Sequence, residues 1–481
     1  MKTQLFFTLL IFLFSSQIQS QTLCENGMAG SYPCNDYDLM SHIPLSTMSA
    51  SAGNDSWGWT DPTNNNEYAI IALNNGTAFI DISDPINPIY LGKLPTATSN
   101  SSWRDVKVYQ NHAFIVSEAP NHGMQVFDLT RLRNVANPPQ TFTVDKHFTD
   151  FGSAHNIVIN EDSGYAYAVG TSRAGTYRGG PVFINIQDPV NPVSDGGFLS
   201  TGDRAYSHDA QVVNYNGPDS DYAGREILIG SNEIEVVIAD ITNKSNPTTI
   251  STIKYSDVGY THQGWFTEDM RYFILGDETD EQGVGFNTRT IVFDLQDLDN
   301  PVQHMVYTGP TPAIDHNGYV KGDKFYLANY RAGIRVIDIS DIGNKNMTEI
   351  GSFDTFPSSN SASFNGVWNV YPYFNSGNIV ISDIEGGFFL VRQSNTLSVG
   401  DFSTKEKFSM YPNPASSRLT INGGDGFQLE KIEIYNILGK KVDEITSFDT
   451  PNSTNLALNY SSGIYLVRVN DNLTKKLIIN K

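Results

Sequence analysis

The sequence contains very little cysteine, because Cys24 and Cys34 are the only two among 481 residues. Zinc sites and redox pairs built from several thiolates need more, so the count argues against both roles. Both cysteines follow closely on an apolar N-terminal stretch. In an exported chain, two such residues are expected to pair as a disulfide.

Positive charge is also scarce, since 31 Lys and Arg residues stand against 52 Asp and Glu residues and the formal net charge is −21. A protein that binds duplex nucleic acid normally carries a basic stripe, and none is visible. We therefore expect no nucleic-acid partner. The acidic balance is typical of a solvated exterior, with cation binding as the alternative.

After residue 20 the chain has no apolar run of the length that a bilayer span needs, so no transmembrane segment is predicted. Residues 1–20 begin with Lys2, continue through an apolar stretch from Leu5 to Phe14 and end in short polar residues. That order is typical of a secretory signal peptide. We expect cleavage after Ser20 or Gln21 and export of the remainder.

What the sequence does contain is a repeat with a step of 46 to 54 residues. Each unit is opened by an aromatic residue or a histidine, is rich in alternating apolar residues and is poor in helix signals. Repeats of this kind indicate a β-propeller. The pattern predicts an all-β, seven-bladed β-propeller over residues 57–392, with units opened by Trp57, Trp103, His155, His208, His262, His316 and Phe364.

The third strand of each unit is its most regular part. In residues 76–81, 180–185 and 333–338 it starts with glycine and reaches a polar residue five positions later. Asp-Pro and Asn-Pro sequences follow, and their aspartates are expected to form turns. In the second unit, residues 141–144 are predicted to form the fourth strand.

The strand core Phe79-Ile-Asp-Ile-Ser-Asp-Pro resembles the LVIVD repeat. Over roughly residues 24–392 the chain also resembles the bacterial choice-of-anchor B family, in which a shared exported body is joined to differing surface anchors. The resemblance implies no established reaction. It rests on the motifs Trp103-Arg-Asp, His122-Gly-Met-Gln-Val-Phe-Asp-Leu, Ser153-Ala-His-Asn-Ile-Val-Ile-Asn, His208-Asp-Ala-Gln, Thr261-His-Gln-Gly-Trp and Asp315-His-Asn.

The seventh unit shows only three strands before the chain becomes polar. The segment at residues 42–48 precedes the first unit, and we predict that it supplies the missing strand and closes the ring. Closure removes the exposed strand edges that would otherwise invite aggregation. Residues 21–56 are thus predicted to carry both the disulfide and a ring-closing strand.

A second domain is predicted at residues 408–481, after a polar linker at residues 393–407. Its period-two alternation between turn clusters indicates a small β-sandwich. The entry motif Tyr411, Pro412, Asn413 and Pro414, with the later Tyr-Asn-x-Leu-Gly and Ser-Gly-x-Tyr segments, resembles the type A C-terminal sorting domain of the type IX secretion system. The resemblance implies export by that machinery in a Bacteroidetes-type bacterium, removal of the domain, and surface attachment or release of the rest.

Polar residues collect where the innermost strands begin. In a four-stranded blade, the loop entering the first strand and the loop joining strands two and three emerge on one face. Both sets should therefore gather at the mouth of the central channel, where ligands usually bind. The candidate mouth residues are Trp103, Arg104, Asp105, Glu118, His155, Asn156, His208, Asp209, Glu233, His262, Gln263, Asp277, Glu278, Asp315, His316 and Asn317.

Three hypotheses account for the four histidines of this set. In the structural hypothesis, each imidazole bonds to the next blade. In the metal hypothesis, His155, His208, His262 and His316 help to bind Zn, Mn, Fe or Ca, although no His-x-x-x-His spacing occurs. In the catalytic hypothesis, they hydrolyse a sugar, lactone or ester by acid–base chemistry, although no Gly-x-Ser-x-Gly elbow is present. The sequence leaves all three open.

The acidic run at residues 277–281 lacks the EF-hand pattern and predicts a solvated turn rather than a calcium site. Taken together, the features predict an exported cell-surface or extracellular binding scaffold for an unidentified glycan, protein or small molecule. The alternative is a metal-dependent hydrolase with its site at the channel mouth. No catalytic residue is assigned.

Overall fold

The computed structural model describes residues 21–394, 408–423, 427–436, 439–470 and 473–481. The predicted signal peptide, residues 1–20, lies outside these ranges, as does the predicted linker apart from residues 393 and 394. The chain divides into two compact units, the first ending at Ser394 and the second beginning at Asn395.

Seven sheets fill the described part of the first unit, and we interpret each sheet as one blade. Their first strands contact one another in cyclic order, from the first sheet to the seventh and back to the first. A closed ring of small sheets is a β-propeller, so the predicted fold class is confirmed. The innermost strands, which number the blades, are Gly53–Thr60, Arg104–Tyr109, Asn156–Asn160, Asp209–Asn214, Thr261–Phe266, Gly318–Lys321 and Val367–Tyr371.

The second strands are the most buried, because neighbouring blades cover both of their faces. Every residue of the second strand of blade 1 is buried, which explains its continuous run of apolar residues. The second strands are Glu67–Leu73, His112–Ser117, Tyr165–Val169, Glu226–Ser231, Tyr272–Asp277, Lys324–Ala328 and Asn378–Asp383.

The recurring glycine of the third strand has a steric cause. Gly333 has φ +78°, and a Cβ there would lie 2.1 Å from the Phe353 carbonyl oxygen of the outer strand. Only glycine fits such a backbone. The third strands are Gly76–Asp81, Met124–Asp128, Val182–Asn185, Val236–Asp240, Arg289–Asp294, Ile334–Asp338 and Gly387–Gln393.

The outer strands are the most exposed strands of the blades. In blade 2 the predicted position of this strand was wrong. Residues 141–144 do not form its fourth strand. Lys146–Phe148 pairs with Met124–Asp128 instead, while Gln140–Thr141 pairs in parallel with blade 1. The outer strands of blades 1 to 6 are Ile89–Pro95, Lys146–Phe148, Val193–Gly197, Thr248–Ile253, Val302–Thr308 and Thr348–Phe353.

The outer strand of blade 7 comes from residues that precede blade 1. Tyr37–Ile43 pairs antiparallel with Gly387–Gln393, with a bulge between Leu39 and Ser41. Met40 is buried in the same apolar cluster as Phe388 and Leu390. The pairing joins the two ends of the ring within one sheet. The predicted segment, residues 42–48, was placed too late in the chain, because only its first two residues belong to this strand.

A short N-terminal hairpin extends blade 6. Met28–Ala29 pairs with Tyr32–Asn35, which in turn pairs with Thr348–Phe353. Cys24 and Cys34 form a disulfide with a Cα–Cα distance of 5.9 Å, as the sequence predicts. A loop of this size contributes about 3 kcal/mol in the chain-entropy model.

Helices are short in the described part of the chain. One α-helix, Asp280–Gly283, and the 3₁₀ turns Leu129–Leu132, Ser220–Tyr222 and Ile342–Asn344 lie in the first unit. The α-helix falls in the acidic run, where the prediction of a solvated turn was wrong. Asp277, Asp280 and Glu281 are buried, and Arg289 donates to Asp280.

The second unit is a two-sheet sandwich. One sheet contains Phe408–Tyr411, Arg418–Gly423 and Ser453–Ala457, and both sheets share one apolar core. Asn413 ties the Pro-Asn-Pro turn to the last strand, because its amide donates to Lys476 O at 2.7 Å and its carbonyl accepts from Ile478 N at 2.8 Å. The second sheet is formed by Lys441–Ile445, Ile432–Asn436, Gly463–Val469 and Leu473–Ile479.

Ring closure leads to the first prediction. Met40→Ala removes a buried side chain from the closing strand and should lower the free energy of unfolding by about 2–5 kcal/mol. Val193→Ala is the control, because Val193 is 60% exposed on an outer strand and should change stability by less than about 0.5 kcal/mol. Chemical denaturation measures both. Equal effects of the two substitutions would contradict closure by this strand.

Candidate functional site

The positions that open the innermost strands differ in part from those predicted. Trp57, Trp103 and Phe364 are not equivalent to the four histidines. Their places are taken by Asn54, Arg104 and Trp368, each of which directly precedes a residue of the polar layer that links the blades through Asn317, Asn369 and Asp55. We call this set the mouth row: Asn54, Arg104, His155, His208, His262, His316 and Trp368. Its members are 50 to 54 residues apart, a more regular step than the predicted one.

The residue after each member of the mouth row belongs to a second layer, which we call the polar belt. Register shifts accompany this change of layer in three blades, between Gly53 and Ser56, Thr261 and Gln263, and Val367 and Asn369. Bulges of this kind re-aim side chains at the end of a strand. The polar belt consists of Asp55, Asp105, Asn156, Asp209, Gln263, Asn317 and Asn369.

The four imidazoles of the mouth row lie side by side. Ring centroids are 4.2 Å apart for His155 and His208, 4.3 Å for His208 and His262, and 4.4 Å for His262 and His316. The Trp368 ring continues the series at 4.9 Å from His316. The fold therefore brings together all four histidines that the sequence singled out.

Two of these histidines bond to the next blade. His208 Nδ1 donates to the His262 carbonyl at 3.2 Å, and His316 Nδ1 donates to the Trp368 carbonyl at 2.5 Å. His155 Nδ1 lies 2.6 Å from Glu118 Oε1. A carbonyl only accepts, so Nδ1 carries the proton in His208 and His316. Their Nε2 atoms keep a free lone pair.

Burial controls the protonation of the row. It lowers the pKa of His208 and of His262 well below the ordinary value, and the neighbouring imidazoles lower both further. Burial likewise lowers the pKa of His316 to about 3. These three rings are therefore neutral near pH 7, which is the form that accepts hydrogen bonds or binds a metal.

Glu278 faces two of the imidazoles. Its Oε1 lies 3.7 Å from His262 Nε2 and 3.8 Å from His316 Nε2, and it accepts a hydrogen bond from the Tyr330 hydroxyl at 2.9 Å. Burial raises the pKa of Glu278 to about 7. The three potential ligand atoms of His262, Glu278 and His316 lie within 4.8 Å of one another.

A cavity of about 240 Å³ opens beside this row. Trp103 stands on its rim and is 45% exposed. On the same side, Arg173 stacks on the Tyr206 ring at 3.7 Å and forms an ion pair with Glu233. We call this the mouth cavity, and its lining residues are Trp103, Glu118, His155, Tyr206, His208, Tyr260, Glu278 and Thr279.

Three predicted mouth residues, including Arg104 of the mouth row, bond inside the protein and do not reach the mouth cavity. Arg104 is buried and donates to Leu73 O at 2.9 Å and to Thr96 Oγ1 at 2.6 Å, while its third contact is His122 Nε2 at 2.8 Å. Asp277 accepts the backbone N–H groups of residues 259 and 260. Asp315 is fully buried, and burial raises its pKa. None of the three lines the mouth cavity.

The other predicted residues lie in the polar belt, and all of them except Asp209 link neighbouring blades. Asp105 accepts from Ile157 N at 2.7 Å, and Gln263 exchanges two hydrogen bonds with the Gly318 backbone. Asn156 donates to His208 O at 3.2 Å, and Asn317 donates to Asn369 at 3.2 Å. Among the described residues, the Asp209 carboxylate accepts a hydrogen bond only from Ala210 N of its own strand. Burial raises the pKa of this carboxyl group to about 7.

A larger cavity lies farther along the innermost strands, past the polar belt. It measures about 450 Å³ and is bordered by Lys107 and Asp209. Sequence reasoning missed it, although an aromatic residue recurs two positions after the belt in four blades. Trp57 belongs here rather than to the mouth row. The aromatic residues that line this cavity are Trp57, Trp265, Tyr319, Tyr371 and Tyr373.

Comparisons with protein families identify both kinds of module. Residues 409–480 match the secretion system C-terminal sorting domain, and residues 65–96 and 319–355 match the LVIVD repeat. The two repeat matches fall in blades 1 and 6. No curated protein matches the chain.

The solved structures that resemble the chain include the following two. The β-propeller domain of Cps50 (Swd1) from Myceliophteria thermophila has 9% sequence identity and a TM-score of 0.44, over 68% of this chain and 93% of that one. PorZ, an essential bacterial surface component of the type-IX secretion system of Porphyromonas gingivalis, has 13% identity and a TM-score of 0.40 over 86% of this chain. The chain spans 56% of the PorZ structure.

The sorting-domain match indicates type IX secretion to the cell surface or the extracellular space. No described helix has the length and apolar character that a bilayer span needs.

The polar belt leads to the second prediction. Lys107 Nζ bridges two belt carboxylates, at 3.1 Å from Asp55 and 2.6 Å from Asp105. Lys107→Met leaves both buried carboxylates without a cation and should cost about 3–5 kcal/mol of unfolding free energy at pH 7. Lys345→Met, at an exposed lysine, is the control.

The loss of unfolding free energy in Lys107→Met should become smaller as the pH falls. Burial and the charge of Asp105 raise the pKa of Asp55, whereas Lys107, against the effect of burial, lowers that of Asp105. Asp105 thus stabilises the wild type above its unfolded pKa of about 3.9, and this contribution is lost only as the pH falls below that value. Without Lys107 the buried carboxyls keep protons that the unfolded chain releases at pH 7. This penalty on the variant falls as the pH is lowered, so the difference in unfolding free energy between variant and wild type should shrink from pH 7 to pH 4 in denaturation curves. A pH-independent difference would contradict this role.

Proposed function

We propose that this protein is an exported member of the choice-of-anchor B family that acts as an extracellular binding scaffold. Its ligand site is the mouth cavity, and the ligand class is a glycan that inserts one terminal sugar. The observation that carries the proposal is the combination of an exposed Trp103 with buried, oriented polar groups around one opening.

The chemistry of the lining supports a sugar ligand. The rings of Trp103, Tyr206 and Tyr260 offer apolar faces with polar edges, which suit a ring that carries both C–H and O–H groups. Glu118 and Glu278 provide acceptors for hydroxyl groups, and the free Nε2 of His208 provides another.

The size of the cavity limits what enters. Pockets that enclose a whole small molecule usually measure about 300–1,000 Å³. At about 240 Å³, the mouth cavity is large enough for one terminal group of a longer ligand. A glycan chain presents such a group on a surface-exposed polymer, which agrees with a protein carrying a type IX sorting domain.

One observation favours the alternative function, a metal-dependent hydrolase. Glu118 holds His155 by its Nδ1 atom at 2.6 Å, and both residues line the mouth cavity. A carboxylate that orients an imidazole leaves its Nε2 available as a general base. Release of sugar products by the wild type, with loss in His155→Gln, would support this alternative over pure binding.

The third prediction tests the glycan site. Trp103→Ala removes the exposed ring from the rim and should raise the Kd for a bound glycan about tenfold or more, as expected for an aromatic anchor. Binding is measured with a glycan array followed by calorimetry on the best ligand. The melting temperature should stay unchanged, because the ring is half exposed.

Phe364→Ala provides the matched control. Phe364 is also an exposed aromatic residue and packs on Tyr330 at a ring distance of 5.5 Å, but it does not line the mouth cavity. Its removal should leave the Kd unchanged. Equal losses in both variants, or no glycan bound by the wild type, would refute the glycan site.

The fourth prediction concerns the sorting domain. Residues 408–481 fused to a periplasmic reporter should move it to the cell surface or the medium of a host with type IX secretion, and the domain itself should be removed. Surface immunolabelling and the mass of the released reporter measure this. A reporter without the domain is the control. Retention of the fusion in the periplasm would contradict the assignment.

A further inference from the structure

We propose that His262, Glu278 and His316 bind one divalent first-row transition-metal ion at the channel mouth. The three side chains come from blades 5 and 6 and present their ligand atoms to one point. The inference deepens the proposed function, since it places an ion next to the mouth cavity, but metal binding and glycan binding are separately measurable.

His316 is prepared for metal binding by its hydrogen bond. Its Nδ1–H donates to the Trp368 carbonyl at 2.5 Å, which fixes both the tautomer and the ring orientation. Metal-binding histidines almost always hold their second nitrogen in this way. The remaining Nε2 lone pair points toward Glu278, 3.8 Å away.

His262 has a polar ring without a partner. The residue is 1% exposed, and its Nδ1 accepts or donates no hydrogen bond among the described residues. Its Nε2 lies 3.7 Å from Glu278 Oε1, beyond hydrogen-bond distance. A buried imidazole in this condition needs an explanation, because most buried polar groups are paired. Its Nε2, which also has no hydrogen-bond partner among the described residues, is the nitrogen that a metal ion can bind.

Two of the three ligand separations are close to those around a tetrahedral ion. Metal–ligand distances of about 2.0–2.2 Å place neighbouring tetrahedral ligands about 3.3–3.6 Å apart. The two imidazole–carboxylate separations of 3.7 and 3.8 Å exceed this by a few tenths of an ångström. Small side-chain rotations close that difference. Tyr330, whose hydroxyl donates to Glu278 at 2.9 Å, orients the carboxylate.

The donor set also indicates the kind of metal. Two imidazoles and one carboxylate suit Zn²⁺, Co²⁺, Fe²⁺ or Mn²⁺, whereas Ca²⁺ prefers oxygen ligands throughout. Three protein ligands leave at least one coordination position open. Glu278 lines the mouth cavity as well, so that open position lies next to the proposed glycan site. A ligand hydroxyl or water completes the coordination there.

The fifth prediction tests this site on the full chain without a polyhistidine tag. After chelation and dialysis, Co²⁺ should bind with a stoichiometry near one and produce visible absorption bands of an imidazole–carboxylate site. Zn²⁺ should displace it and raise the melting temperature by mass action, whereas Ca²⁺ should do neither.

Substitutions identify the ligands. His262→Gln, Glu278→Gln and His316→Gln should each weaken Co²⁺ binding by about 100-fold or more. Glu278→Gln keeps an acceptor for Tyr330, so its apo melting temperature should stay near that of the wild type. His112→Gln is the matched control, since it removes an imidazole from the start of a second strand and should leave binding unchanged.

The outcomes separate the two proposals. A wild type that binds well under one equivalent of Co²⁺ and Zn²⁺, or whose binding survives all three substitutions, overturns the metal site. If no metal binds and a glycan still binds through Trp103, only the metal inference is refuted. If the metal binds and no glycan does, the metal inference stands and the proposed function falls.

Discussion

The structure depends on hydrogen bonds that join one blade to the next around the channel. Innermost strands pack side by side without sharing a sheet, so their polar side chains must find partners across the gap or remain unpaired in a dry interior. The polar belt meets this need with amides that donate to a neighbouring backbone, and with Lys107 between two carboxylates.

Much of this arrangement could be predicted from the sequence. The predictions that were wrong have physical causes. The repeat length and the glycine-led third strand predict the propeller because sterics require glycine beside the outer strand, as at Gly333. The sequence could not predict that Trp57 and Trp103 are not equivalent to the histidines. In blade 1 a bulge between Gly53 and Ser56 shifts which side chain faces the mouth, and bulges leave no clear mark in composition. Burial of the acidic run was also unpredictable, because Arg289, its partner, lies in another strand.

The mouth row combines two roles that the sequence presents as alternatives. In His208 and His316, Nδ1 holds the adjacent blade while Nε2 remains available. One imidazole thus serves the fold with one nitrogen and the site with the other. Removing such a ring disturbs both, so stability and binding must be measured together. In the described part of the chain, the exposed Trp103 bonds to no neighbouring blade through its ring, so its substitution separates the two roles more cleanly.

The pairing of Tyr37–Ile43 with Gly387–Gln393 has a consequence for how the molecule matures. His42 bonds to Gly386, 344 residues later, so the ring stays open until nearly the whole propeller sequence is present. Contacts between such distant segments form slowly, since a long loop must first be closed. Truncation before Gly387 removes the strand with which Tyr37–Ile43 pairs, so a truncated chain cannot close its ring.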